Sequence, residues 1–76
     1  MKYPQIHTGQ VWLDPDTGDN IHVDEVYASD PYNSNEWRAM VRYTVLDGRE
    51  PDMTTATEFG KWIRDYRFAL VEQVPA

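Results

Sequence analysis

Cysteine is missing from this chain of 76 residues, as are long apolar runs, basic clusters and glycine-rich phosphate loops. Without cysteine there is no disulfide, no thiolate nucleophile and no cysteine-bound zinc. Stability must come from packing, with a homo-oligomer as one way to supplement a small core. The lack of disulfides fits a reducing compartment, and we expect a cytoplasmic protein. No stretch approaches the about 18 apolar residues of a membrane span, and the first residues resemble no signal peptide.

Basic residues are also scarce, since seven stand against thirteen acidic ones for a net charge of −6. The whole excess lies before residue 37, where seven acids meet a single base, Lys2. Those acids are Asp14, Asp16, Asp19, Asp24, Glu25, Asp30 and Glu36. A field of this sign repels phosphate, so direct nucleic-acid binding is disfavoured. A partner protein with a basic surface is the natural complement.

The chain does have the composition of a folded domain. Hydrophobic residues make up 41 % of it, and ten residues are aromatic. Its length is near the lower limit for a self-sufficient core, so we predict one domain over residues 1–76. Residues 1–8 are predicted to be an extended or flexible lead-in to that domain.

Short strands and turns dominate the first half of the chain. Residues 9–14 predict a strand, and the turn chemistry of residues 15–18 predicts a hairpin into a second strand. In that second strand the apolar alternation slips between Asp24 and Glu25, as it does at a β-bulge. Residues 30–35 predict a polar loop.

The third strand is the clearest, because residues 37–45 alternate with a period of two. Its predicted core face holds Trp37, Ala39, Val41, Tyr43 and Val45, and its predicted outer face holds Arg38, Met40, Arg42 and Thr44. Asp47-Gly48 then predicts a tight hairpin. Pro51 cannot donate to a ladder, so the return strand over residues 49–55 is predicted to be an edge strand.

A helix is predicted over residues 56–66. Thr55 and Glu58 form a capping box at its start, and apolar residues recur behind them at helical spacing. These apolar residues are Phe59, Trp62, Ile63 and Tyr66. Residues 67–74 predict a last strand.

The order of four strands, one helix and a last strand resembles small SH3-like barrels, including those of compact phage and bacterial accessory proteins. The features that carry the resemblance over residues 9–74 are the Gly9-Gln10-Val11-Trp12 opening, the bent second strand, and the Asp47-Gly48 hairpin leading to the Phe59/Trp62 turn. The resemblance implies a mainly β fold, a small five-stranded antiparallel barrel with one short helix before the last strand. Such barrels host many functions, so it implies a binding surface and no particular ligand.

Catalytic and metal-binding motifs are weak. Asp14, Asp16 and Glu25 match positions one, three and twelve of a calcium loop, but Asp19 stands where the glycine belongs. His22 and the nearby Asp24 fall on one strand face, yet no third ligand or nucleophile accompanies them. We therefore predict a protein that is not an enzyme and has neither cofactor nor metal. Residues 14–19 are assigned to an acidic hairpin turn.

Two sets of side chains are candidates for contact with a partner or ligand. Arg38 and Arg42 either grip a carboxylate or phosphate, or pair with nearby acids. Four other aromatics are predicted to be core: Tyr43, Phe59, Trp62 and Phe68. Two interpretations are open for the remaining aromatics of interest. Either Trp12, Tyr32 and Trp37 form an exposed contact platform, or Trp12 and Trp37 cap opposite ends of the barrel.

These features favour a non-catalytic interaction module that docks a protein with a basic surface. The predicted binding surface carries Asp14, Asp16, Asp19, Asp24 and Glu25, with Tyr32 or Trp37 as a hydrophobic anchor. By analogy with phage-encoded inhibitors, the partner is a host or defence protein that handles nucleic acid. The alternative is a sequestering protein that holds a small anionic or nucleotide-like ligand between Trp or Tyr faces and arginines such as Arg38 and Arg42.

Overall fold

A computed structural model describes residues 6–30, 33–35, 37–46 and 50–73. The elements in these ranges are β1 Gln10–Leu13, β2 Asn20–Ser29, β3 Arg38–Val45, β4 Asp52–Thr55, α1 Ala56–Asp65 and β5 Ala69–Gln73. The prediction of a mainly β fold, with five antiparallel strands and one short helix before the last, is confirmed. The resemblance to SH3-like barrels stays a prediction. No helix in the described ranges is long and apolar enough to cross a membrane.

All five strands belong to one antiparallel sheet in the order β4-β3-β2-β1-β5. The first four strands form a meander, and the chain then returns through α1 so that β5 pairs with β1. β4 and β5 are therefore the two edges of the sheet. The predicted Asp47-Gly48 hairpin lies outside the described residues. The return strand does lie at an edge, as Pro51 predicts.

A β-bulge divides β2. The register with β3 shifts between Val23 and Glu25, which leaves Asp24 as the extra residue. This is the position where the apolar alternation slips, so the predicted bulge is confirmed. Before the bulge β2 pairs with both β1 and β3, whereas beyond it the described ladder is with β3 alone. The second half of β2 thus forms an arm with β3 and β4.

The hydrophobic core lies between the sheet and α1. Val23, Val41 and Phe59 are fully buried at its centre. The residues packed with them are Trp12, Ile21 and Ile63, with Tyr43, Trp62 and Phe68 partly buried against the cluster. The prediction that Tyr43 and the three later aromatics belong to the core is therefore confirmed. Neighbouring rings of this group have centroids between 5.7 and 6.5 Å apart.

α1 begins at its predicted cap and ends in a left-handed turn. The hydroxyl of Thr55 accepts a hydrogen bond from Glu58 N at 3.1 Å. At the other end Arg67 has φ +56°, and Phe68 N donates to Ile63 O at 3.0 Å, the six-to-one bond of a Schellman motif. This turn directs the chain from the helix into β5 and places Phe68 against the core.

The predicted core face of β3 is wrong at its first two positions. Trp37 and Ala39 are exposed, whereas Met40, predicted to face outward, is buried. The alternation itself holds, since Met40 is the cross-strand partner of Tyr27 on the side of the sheet away from α1. What differs is which residues pack over each face at the start of β3. Nothing in the described ranges covers the start of β3 on the core side, while Tyr27 reaches across to Met53 Sδ on β4 with its hydroxyl at 3.1 Å.

Trp12 lies in the core, which excludes the exposed platform for this residue. Only 7 % of it is exposed, and its Nε1 donates to Gln10 Oε1 at 3.1 Å. The same oxygen accepts a hydrogen bond from His7 N at 2.9 Å. Val11 and Trp12 are neighbours on opposite faces of β1, and both are buried. Ile6, inside the predicted lead-in, also packs against the core.

Candidate interaction surface

The hairpin between β1 and β2 carries three of the five predicted acids. Asp14 shapes the turn, since its Oδ1 accepts from Asp16 N at 3.0 Å and its carbonyl oxygen accepts from Gly18 N at 2.8 Å. Gly18 has φ +77°, a conformation that L side chains rarely adopt. Asp16 is exposed and Asp19 partly buried, and no contact with a described residue holds either carboxylate. Asp14 is therefore structural, while Asp16 and Asp19 present charge to the solvent.

The bulge residue Asp24 is held on the outer face of the sheet, the side away from α1. Its Oδ1 lies 2.5 Å from His22 Nδ1, and its Oδ2 accepts from Thr44 Oγ1 at 2.5 Å. Burial alone would raise the pKa of Asp24. The hydrogen bonds from Thr44 and His22, with the charges of His22 and Arg42, outweigh it and lower that pKa. The carboxylate thus fixes the bulge rather than standing free for a partner.

Glu25 and Arg42 form the next pair along the outer face. They are cross-strand neighbours on β2 and β3, and Arg42 donates to Glu25 Oε2 at 2.8 Å. The predicted alternative that Arg42 pairs with a nearby acid is confirmed. An exposed pair of this kind contributes only about 0–1 kcal/mol, so a partner could exchange it. Arg38 is exposed at the start of β3, opposite Ser29.

An apolar patch adjoins the ion pair on the outer face. It consists of Tyr27, the buried Met40 and Met53, whose side chain is largely exposed. Sequence reasoning missed Tyr27 and Met53 as surface candidates, because the register of β4 on β3 brings them together and alternation within one strand does not report register.

Trp37 stands at the far end of the arm. It precedes β3 and is 72 % exposed. Between β2 and β3, the carboxylate of Asp30 accepts hydrogen bonds from Asn35 N and from Ser34 Oγ. Tyr32, the other predicted anchor, lies outside the described residues.

The predicted acidic surface is therefore two patches rather than one. Asp24 and Glu25 lie in the middle of β2, and the structure brings Arg42 of β3 next to them. Asp16 and Asp19 lie before the start of β2, and Trp37 lies beyond its end. A strand of ten residues such as β2 spans up to about 30 Å, so the hairpin acids and Trp37 are at opposite ends of the sheet.

Two observations bear on metal and acid–base chemistry. No cluster of three or more His, Cys, Asp or Glu side chains within the described part of the chain could hold a metal ion. On the core side of the sheet, burial raises the pKa of Tyr43, and the charge of Asp52 raises it further. Tyr43 therefore stays a neutral phenol within the aromatic core.

Comparison with known proteins gives no family. No protein-family model, curated protein or solved structure matches this chain.

Proposed function

We propose that this protein is a non-catalytic interaction module that docks a partner protein through a basic surface of that partner. The observation that carries the proposal is Trp37, the most exposed of the large hydrophobic side chains in the described ranges, at 72 %. Tryptophan is among the residues that dominate the energetics of protein interfaces. Trp12 is buried and Trp62 partly so, which leaves Trp37 as the tryptophan offered to a partner.

Charge complements this anchor. The net charge of −6 resides before residue 37, and the described structure leaves Asp16 and Asp19 without cationic partners. Exposed acids of this kind speed the approach of a basic protein more than they strengthen the final complex. A protein that handles nucleic acid presents such a basic surface, which is the partner class that the analogy with phage-encoded inhibitors names.

The roles of the predicted acids are divided accordingly. Asp14 and Asp24 hold the hairpin and the bulge, and Glu25 is paired with Arg42. Asp16 and Asp19 are left to steer the partner from the hairpin. Trp37 anchors it at the other end of the sheet.

Affinity capture from lysate of the source cells, with proteins quantified by mass spectrometry, tests this proposal. The immobilised baits are wild type, Trp37→Ser, the double variant Asp16→Asn/Asp19→Asn, and a charge-matched control, Glu50→Gln/Glu58→Gln. We expect wild type and control to retain the same basic protein, Trp37→Ser to lose it, and the double Asn variant to retain less of it. A protein retained equally by all four baits, or one that is acidic, would contradict the proposal.

The small-ligand alternative gains no support from the outer face. Arg42 is already bound by Glu25, so an anion at that position must compete with an existing ion pair. A thermal-shift screen against nucleotides and other phosphates separates the two hypotheses, because a bound ligand raises the melting temperature by mass action. We expect no increase with any of them.

A further inference from the structure

All the sulfur atoms of this chain are thioethers. The sequence has three methionines and no cysteine, so no thiolate competes with them for a peroxide. Met1 lies outside the described residues. Met40 in β3 is 3 % exposed, whereas Met53 in β4 is 54 % exposed. Of the two described methionines, Met53 is therefore the one that a peroxide in solution can reach.

Met53 lies on the outer face of the sheet, in a strand at its edge. It is the cross-strand neighbour of Arg42, which pairs in turn with Glu25 of β2. No described strand lies beyond β4, and α1 packs against the opposite side of the sheet. Within the described part of the chain, the sulfur can thus be approached from the outer face and from the edge.

The hydroxyl of Tyr27 already bonds to this sulfur. Tyr27 is on β2, the cross-strand partner of Met40, and its hydroxyl reaches past β3 to donate to Met53 Sδ at 3.1 Å. A thioether sulfur is only a weak acceptor. The guanidinium of Arg42 bonds to Glu25 instead. Tyr27 therefore supplies a donor to Met53 that has a poor acceptor at present.

We propose that Met53 is a site of oxidation by hydrogen peroxide and that the Tyr27 hydroxyl binds the resulting sulfoxide. A lone pair on Sδ attacks one peroxide oxygen, and the O–O bond breaks. The hydroxide that leaves takes the proton of the transferred oxygen, so the products are one sulfoxide and one water. Sulfur loses two electrons and the peroxide gains them. This site is independent of the proposed function, because the surfaces assigned to a partner lie at the hairpin and at Trp37.

The place of Met53 lets the sulfoxide form without disrupting the fold. Sulfoxides disrupt a protein where the methionine belongs to a core, but Met53 is largely exposed. Its side chain has three rotatable bonds, so the new oxygen can take the position of the sulfur at the Tyr27 hydroxyl while β4 stays in place. That oxygen is a stronger acceptor than the thioether. Oxidation thus makes the patch of Tyr27, Met40 and Met53 polar while the chain stays folded.

Peroxide treatment followed by peptide mapping tests the site. Trypsin cleaves after lysine and arginine, so each of the three methionines falls in a different peptide. In the folded protein we expect Met53 to be oxidised at least tenfold faster than Met40. In concentrated urea the two should react at similar rates, because unfolding exposes both.

Urea unfolding of reduced and oxidised protein tests the role of Tyr27. The proteins are wild type, Tyr27→Phe and Tyr66→Phe, each reduced and with a sulfoxide purified at Met53 alone. Oxidation should raise the unfolding constant about two- to tenfold more in Tyr27→Phe than in wild type, since the variant cannot donate to the sulfoxide. Tyr66→Phe is the matched control, because it removes the hydroxyl of another exposed tyrosine. Its response to oxidation should equal that of wild type.

Defined results would overturn each part of the proposal. Equal oxidation of Met40 and Met53 in the folded protein, or resistance of Met53, would refute the site. The same effect of oxidation in Tyr27→Phe and in wild type would refute the binding of the sulfoxide by Tyr27. If Tyr27→Phe does not fold, NMR of oxidised wild type decides the point. Contacts between the Met53 methyl group and the Tyr27 ring should persist after oxidation, and their loss would contradict the proposal.

Discussion

Among single residues, Trp12 and Trp37 differ most clearly in their surroundings. Trp12 lies in the core between the sheet and α1, whereas Trp37 lies just before β3 and is exposed. Trp12 packs with Ile21 and the helix side chains, and its indole N–H is satisfied by Gln10. Trp37 has none of that burial. Because the fold does not depend on burying Trp37, its side chain is available for contact with a partner.

Unfolding in urea should show this difference. Trp37→Ser is expected to change the free energy of unfolding by no more than about 0.5 kcal/mol, as exposed substitutions do. Trp12→Ala should cost about 3–5 kcal/mol. Trp12→Phe, which keeps an aromatic ring but loses the pyrrole part of the indole and its N–H donor, is the milder comparison if the alanine variant does not fold. A large loss of stability in Trp37→Ser would show that Trp37 is part of the core.

Asp24 provides a pH-dependent prediction at the same scale. Because its pKa in the folded protein is lower than the ordinary 3.8, the ionised form favours folding. That stabilisation is complete above the ordinary pKa and is lost as the pH falls through the lower folded value. Asp24→Asn should therefore reduce the free energy of unfolding by about 1 kcal/mol at neutral pH, where one hydrogen-bonded carboxylate is lost. The difference from wild type should shrink in acid.

Urea unfolding at a series of pH values from about 7 down to about 2 measures that difference. Asp16→Asn is the control, since it removes an equal charge from the exposed hairpin. A gap between wild type and Asp24→Asn that is unchanged at the lowest pH would contradict the role assigned to the His22 and Thr44 hydrogen bonds.

At the scale of elements, the turn between α1 and β5 carries identifiable strain. Arg67 occupies the left-handed conformation that glycine most often supplies after a helix. A residue with a side chain loses about 1–2 kcal/mol of stability in this conformation, a cost that glycine avoids. Glycine instead loses about 0.5–1 kcal/mol because its unfolded chain has more conformational entropy. The Schellman bond from Phe68 to Ile63 holds the turn in place.

Arg67→Gly should consequently stabilise the protein by up to about 1 kcal/mol, which corresponds to a rise of about 4–8 °C in Tm for a domain of this size. Calorimetry of wild type, Arg67→Gly and Arg67→Ala measures it. The alanine variant keeps the strain while removing the charged side chain and should match wild type within about 0.5 kcal/mol. A lower Tm for the glycine variant would contradict the strain at this turn.

The elements themselves were largely predictable from the sequence, because their signals are local. A capping box indicates where a helix begins, so the sequence correctly predicts Thr55 as the N-cap of α1. A slip in the apolar alternation indicates a bulge, so the sequence correctly predicts the bulge at Asp24. Alternation shows which residues share a face but not where the cover over that face ends. That is why Trp37 and Ala39 are exposed and Met40 is buried, against expectation.

At the scale of the whole molecule, the candidate site depends on register and sheet order, which local patterns do not report. His22 and Asp24 share a face by parity, but Thr44 joins them only through the pairing of β2 with β3. The division of the acids between two patches follows from the length of β2. The place of β5 at one end of the described sheet follows from its pairing with β1, which connects distant parts of the chain.

The same scale explains how two distant features serve one partner. Charges at the hairpin act through solvent over roughly a Debye length, about 8 Å at physiological salt, and so affect the approach of the partner. Trp37 acts by direct contact and so affects how long the complex lasts. The central claim is therefore kinetic: the acids set association and the tryptophan sets dissociation.

Surface plasmon resonance of the captured partner tests that claim most directly. Wild type, Asp16→Asn/Asp19→Asn and Trp37→Ser are measured at low and at physiological salt, after circular dichroism shows that each is folded. We expect wild-type association to slow as salt rises, and the double variant to associate slowly with a weaker salt dependence and unchanged dissociation. Trp37→Ser should dissociate at least about 30-fold faster, equivalent to a hot-spot loss of about 2 kcal/mol. Association and dissociation rates equal to wild type in both variants would contradict the account.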